Sequence, residues 1–132
     1  MGGVSIGPAQ WDWITRPHDP GEPARHVAEL SEALGAGALR ANVWRYEPHA
    51  AGIRHRHLHQ EEAYIVLAGT LTVYLGEPAE RLDVPAHGIV HVPAGTAVQS
   101  ANHGEVELLV LAVGTPPEDE SSELLPSALA GS

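Results

Sequence analysis

The chain has 132 residues, enough for one domain with a real core. Hydrophobic residues make up 43% and charged residues 18%, a globular composition, and no apolar run approaches the roughly 20 residues that span a bilayer. Cysteine and lysine are both missing, and 17 acidic against 7 basic residues give a formal charge of −10. These absences exclude disulfide frameworks, thiolate and Schiff-base nucleophiles, Cys-ligated zinc and the P-loop lysine. The charge excludes the basic stripe that a nucleic acid or an anionic membrane surface requires. The N-terminus lacks a charged start followed by an apolar stretch, so no secretory signal is read and a cytoplasmic location is expected.

Residues 1 to about 26 are rich in Gly, Pro and Trp and show no period. They read as an extended arm with one short strand around Trp11 to Thr15. Val27, Leu30, Ala33 and Leu34 follow helical spacing, which predicts a short helix over Val27 to Leu34, stopped by Gly35 and Gly37. From residue 38 the texture changes to strand. Leu39, Ala41 and Val43 alternate with Arg40 and Asn42, and Trp44 and Tyr46 extend the run until Pro48. Further strands are predicted at Ile53 to Leu58, Glu62 to Ala68, Leu71 to Leu75, Arg81 to Val84, Gly88 to Val92, Ala97 to Ala101 and Val106 to Val113. Gly69-Thr70 reads as the turn of a hairpin. Short strands at this spacing predict an all-β antiparallel sandwich or barrel. The domain reading is therefore an N-terminal arm over 1–37 packing on the barrel, a barrel over 38–114 and an acidic tail over 115–132. The tail opens with Pro116, Pro117 and a Glu118-Asp119-Glu120 run; its default is a mobile terminus, with Leu124 and Leu125 as the residues able to dock it on the body.

Nine histidines in a chain without Cys or Lys are the compositional anomaly. Three of them alternate, as His55, His57 and His59. Side chains two apart on a strand share a face, so His55 and His57 point the same way. A turn then brings Glu62 back beside them. Two imidazoles and a carboxylate suit a divalent transition metal, one of Zn, Fe, Mn or Ni. Tyr64 and Val66 share the parity of Glu62 and are expected to line the same interior, with Trp44 and Tyr46 from the earlier strand as candidate walls. Arg54 and Arg56 point away from the histidines and are expected to pair with surface acids. His18, His26, His49, His87 and His103 fall in predicted loops or termini and read as surface residues.

These residues resemble the two motifs of the cupin superfamily. The spacing His55-x-His57, four residues to Glu62 and six to Gly69 follows the first motif, although its leading glycine position is His49. Pro93-Ala94-Gly95 and Asn102 follow the second, with the leading glycine displaced by one, to Gly88. The resemblance covers roughly residues 38–114 and implies a jelly-roll barrel with a metal at the closed end. It also implies a fourth ligand from the second motif, and Val98 stands at that position. Three arrangements follow: metal held by His55, His57 and Glu62 alone; a substitute ligand from His59, His91 or Gln99; or a barrel that has lost its metal. Val98 then sits in the pocket wall. The functional expectation is a metal-dependent enzyme acting on a small organic molecule, by oxygenase or by isomerase or cyclase Lewis-acid chemistry. Glu62 is the candidate catalytic group as ligand or base. The alternative is a non-catalytic small-molecule-binding cupin whose metal is structural or lost. The resemblance further implies a homodimer, for which the Trp-rich arm could serve.

Overall fold

The computed structural model describes residues 2–118 and 122–129. After a 3-10 turn at Pro8–Gln10 come β1 (Ile14–Thr15), β2 (Arg25–Glu29), the one-turn helix α1 (Ser31–Leu34) and β3 (Arg40–Tyr46). Then follow β4 (His55–Arg56), β5 (Glu61–Ala68), β6 (Leu71–Leu75), β7 (Glu80–Val84), β8 (Ile89–Val92), β9 (Val98–Ala101), β10 (Leu108–Thr115) and β11 (Glu123–Leu124). They form two antiparallel sheets, one ordered β1-β2-β3-β10-β5-β8 and the other β11-β4-β9-β6-β7. The all-β, two-sheet reading of the sequence holds.

Side-chain alternation explains how the sheets face each other. Along β10, Leu108, Val110 and Ala112 are buried between the sheets with Tyr64, Val66, Leu71, Val73, Val90, Val92 and Val98. Each fully buried aliphatic side chain here stabilises the fold by about 1.5–3 kcal/mol. The intervening residues of β10, Leu109, Leu111 and Val113, face outward yet are not left to water. Ile6, Trp11, Trp13 and Leu34 pack over them, together with Ala28, Leu30, Ala41 and Val43. The arm therefore lies on the outer face of the larger sheet, which is why β10 is apolar on both faces.

Three local expectations are corrected. The helix over Val27 to Leu34 is mostly strand: Arg25–Glu29 pairs along β3, from Arg25 opposite Tyr46 to Glu29 opposite Asn42, and only Ser31–Leu34 is helical. Both apolar faces of this segment find cover in the tertiary structure, which overrides a weak helical spacing. Gly69-Thr70 is not a hairpin turn, because β5 and β6 belong to different sheets. Gly69 has φ 78°, and a Cβ there would sit 2.6 Å from the Glu107 carbonyl oxygen, so the crossing needs glycine. The described part of the tail is docked rather than free. Glu123 and Leu124 pair with Arg56 and His55, the Leu125 amide donates to the Arg54 carbonyl, and Ser127 and Ala128 bond the Gln99 side chain. Residues 119–121 and 130–132 of that tail lie outside the described residues.

Candidate metal centre

β4 is only two residues long, yet it is held on both edges, by β9 and by β11. His55 stands on it and His57 just beyond, two residues on and on the same side. Their rings meet edge to face with centroids 5.0 Å apart. Glu62 comes from β5 in the opposite sheet, so the cluster bridges the two layers. Glu62 Oε1 lies 3.4 Å from His57 Nε2 and 4.0 Å from His55 Nε2. One ligand atom from each of the three residues lies within 4.8 Å of the others.

The hydrogen bonds around the cluster decide what it presents. His55 Nδ1 is 3.0 Å from the Ile53 carbonyl oxygen. That oxygen can only accept, so Nδ1 carries the proton and Nε2 offers a lone pair toward Glu62. Burial holds the His55 pKa below its ordinary 6.5, although the Ile53 bond and the Glu62 charge pull the other way. The imidazole is therefore neutral at pH 7, the form that binds metal. Glu62 Oε1 accepts the Tyr64 hydroxyl at 3.1 Å. Burial, then the neighbouring Glu62 charge, pushes that phenol well above 10, so it stays a donor. A lone pair of His55 thus faces a carboxylate with no donor between them. A cation satisfies both, and the donor set of two imidazoles and a carboxylate suits a divalent transition metal.

A residue without any sequence pattern completes the surroundings. Glu118, in the acidic tail, is buried. Its carboxylate accepts the backbone amides of Leu58 at 2.6 Å and His59 at 2.7 Å, and Oε2 lies 3.5 Å from His57 Nδ1. Burial pushes this carboxyl up, but the two amides and the nearby imidazoles outweigh it and leave it below the ordinary 4.5. Its own amide donates to buried Gln60 Oε1, and its carbonyl accepts Arg40 Nη1. Glu118 thereby pins the loop that carries His57.

The cluster opens into a cavity of about 290 Å³ between the sheets. Trp44, Tyr46 and Tyr64 line it. Val66 and Val98 instead belong to the apolar core and are absent from the cavity wall. Val98 is the register partner of His55 and so shares its face, but it is 1% exposed and packs into the apolar core.

The three substitute ligands are not delivered to the cluster. His91 points outward from β8 and bonds Glu61 at 2.8 Å, because its register partner is Ala63 rather than an inward residue. Gln99 has the opposite parity to Val98 and bonds the Gly52 carbonyl and the tail. His59 keeps the parity of His55 and His57, but the strand has ended and its side chain is exposed. His26, read as a surface residue, is buried and bonds Thr15 and Glu47. Arg54 and Arg56 meet Glu77 and Glu123 at the surface.

The family model for the cupin domain matches residues 42–114. No curated protein matches significantly. Among solved structures, a sugar phosphate isomerase from a cupin superfamily of Silicibacter pomeroyi is 22% identical, with a TM-score of 0.71 over 86% of this chain and 76% of that one. A predicted oxalate decarboxylase from Thermotoga maritima is 18% identical, with a TM-score of 0.74 over 86% of this chain and 100% of that one. KdgF from Halomonas sp. is 21% identical, with a TM-score of 0.66 over 90% of this chain and 98% of that one. At these identities the likeness shows a shared fold. With the family match spanning more than half its length, the chain belongs to the cupin superfamily.

Proposed function

We propose that this cupin is a metal-dependent enzyme acting on a small organic molecule, with His55, His57 and Glu62 as the protein ligands of one divalent transition metal. The convergence of those three ligand atoms within 4.8 Å at the wall of a 290 Å³ cavity carries this reading. A metal held there supplies a Lewis acid for an oxygen of the substrate. The chain's own groups do the rest. His55 presents a neutral Nε2, Tyr64 holds its proton against Glu62, and Leu71, Val110 and Ala112 give the cavity an apolar side that limits water. The cupins of known structure described above are named for isomerase and decarboxylase chemistry, which agrees with a metal-centred reaction on an oxygen-rich small molecule.

A non-catalytic binding protein is the second reading. Val98 favours it, since a wholly buried valine leaves the triad one side chain short of a four-ligand shell. Elemental analysis of the untagged protein tests the metal on which the first reading depends. The expected result is about one equivalent of Zn, Fe, Mn or Ni, lost in His57→Ala while the circular dichroism spectrum is unchanged. Absence of metal after reconstitution with each of the four ions leaves the binding reading in its place.

A further inference from the structure

The cavity wall formed by β2, β3 and the residue after β1 carries positive charge outside the His55–His57–Glu62 cluster. Arg16, Arg25 and Arg40 all line the cavity, from only seven basic residues in a chain of net charge −10. Arg40 reaches Glu118. Arg25 does something different. Its guanidinium lies 5.2 Å from the centroid of Trp44 and 5.8 Å from that of buried Tyr46. Among the described residues it meets no carboxylate at ion-pair distance. The acids of the cavity lie elsewhere. Glu29 is at the far end of β2, about 13 Å along the strand. Glu62 is in the row of Gly114 and Arg40, at the other end of β3 from Tyr46, the register partner of Arg25.

A guanidinium with an aromatic face against it keeps its N–H edge for a coplanar acceptor, and a carboxylate matches that fork. The Gly52 backbone leaves room for it: a Cβ at Gly52 would lie 2.8 Å from the Tyr46 hydroxyl and 3.6 Å from Arg25 Nη1. Arg16 is exposed at the rim, and its amide is tied to the Arg25 carbonyl, so the two side chains belong to one wall. The volume is at the small end of ligand pockets and suits a molecule of monosaccharide size or less.

We infer that the cavity takes a small hydroxy-carboxylate, its carboxylate bound by Arg25 with Arg16 at the rim and its hydroxyl-bearing chain running into the cavity. This rests on reading the cavity as the substrate site, and it names the substrate class. The arginine end does not need the metal, so the test separates the two claims.

Isothermal titration of the full chain, EDTA-treated and metal-loaded, compares gluconate with sorbitol and lactate with 1,2-propanediol; each pair differs at the carboxylate. The expected result is that at least one acid binds the EDTA-treated protein ten-fold or more tightly than its neutral counterpart. Arg25→Gln abolishes that preference with the fold intact, and Arg16→Gln weakens it by a smaller factor. If Arg25→Gln fails to fold, the comparison on the unaltered chain decides. Equal binding within both pairs, or no binding of either acid, overturns the inference, as does a folded Arg25→Gln that keeps the preference. Inorganic phosphate displacing the acids at lower concentration overturns the carboxylate assignment. A chain that holds no metal yet prefers the acid keeps this inference and loses the metal reading; a chain that holds metal without the preference does the reverse.

Discussion

His49 and His87 both hold left-handed backbone, with φ of 70° and 74°. They stand where the two cupin motifs carry their leading glycines, the second being six residues before Pro93 rather than at Gly88. The turn geometry is therefore kept by residues with a Cβ. A non-glycine side chain there costs on the order of 1 kcal/mol, and histidine is among the residues that tolerate it best. His87 is exposed, and no side-chain bond of it is described. His87→Gly is expected to stabilise the protein by up to about 1 kcal/mol, the relief of strain being offset in part by the freer unfolded chain. The urea midpoint should rise with an unchanged slope; a fall would mean that the imidazole makes a contact worth more than the strain. At this scale the sequence was informative where a pattern repeats. His55, His57 and Glu62 follow from parity and a short turn. Glu118 does not, since one acid in an acidic run has no period, and its role depends on a chain reversal that brings residue 118 to the amides of residues 58 and 59. Arg25 was equally hidden, because its strand spacing imitates a helix.

β4 and β9 set the surroundings of His55. Their single register pair places Val98 directly opposite His55, with both side chains on the inner face. Opposed residues in an antiparallel pair hold their Cβ atoms about 4.5–5.5 Å apart. Val98→His is therefore expected to bring a third imidazole beside the cluster and tighten metal binding about ten-fold or more, read by competition with a chelator. The same change removes apolar packing and buries a polar ring, at a cost of about 1–3 kcal/mol in the metal-free state, read as a lower midpoint. Unchanged metal affinity in a folded variant would show that β9 does not face the cluster. The strands from 38 to 113 were legible because they alternate and because Pro and Gly punctuate them. The assignment of neighbours was not. Whether β5 turns back on itself or crosses to the other sheet depends on contacts of Gly69 with Glu107, distant in sequence. The pairing of Glu123–Leu124 with β4 depends on an edge that a linear reading cannot see.

Across the whole molecule, the C-terminal segment and the segment bearing His55 titrate in ways that make acid unfavourable twice. The His55 pKa is lowered in the fold, so the unfolded chain takes its proton first. Stability therefore begins to fall as pH drops below about 6.5, by at most about 1.4 kcal/mol per pH unit for one proton, and this loss levels off below the folded pKa. The Glu118 pKa is also lowered, and the sign runs through the charged form. The stability it adds is fully present above its ordinary 4.5 and is lost as pH falls through its depressed folded value. Glu47, bonded to His26 and the Ala24 amide, and Asp83, bonded to Thr72 and Arg81, fall in the same acid window. Urea midpoints of EDTA-treated protein between pH 7.5 and 3.5 should show two descents, the first beginning near 6.5 and the second below 4.5. Glu118→Gln keeps the shape but gives up the charge that holds the Leu58 and His59 amides. It should lower the midpoint at pH 7, shrink the second descent and leave the first in place. Because Glu118 pins the loop that bears His57, the same variant should bind metal about 10–100-fold more weakly, the usual cost of losing an outer carboxylate beside a ligand. A variant with both acid descents intact and undiminished metal affinity would reduce Glu118 to a surface acid that happens to be covered.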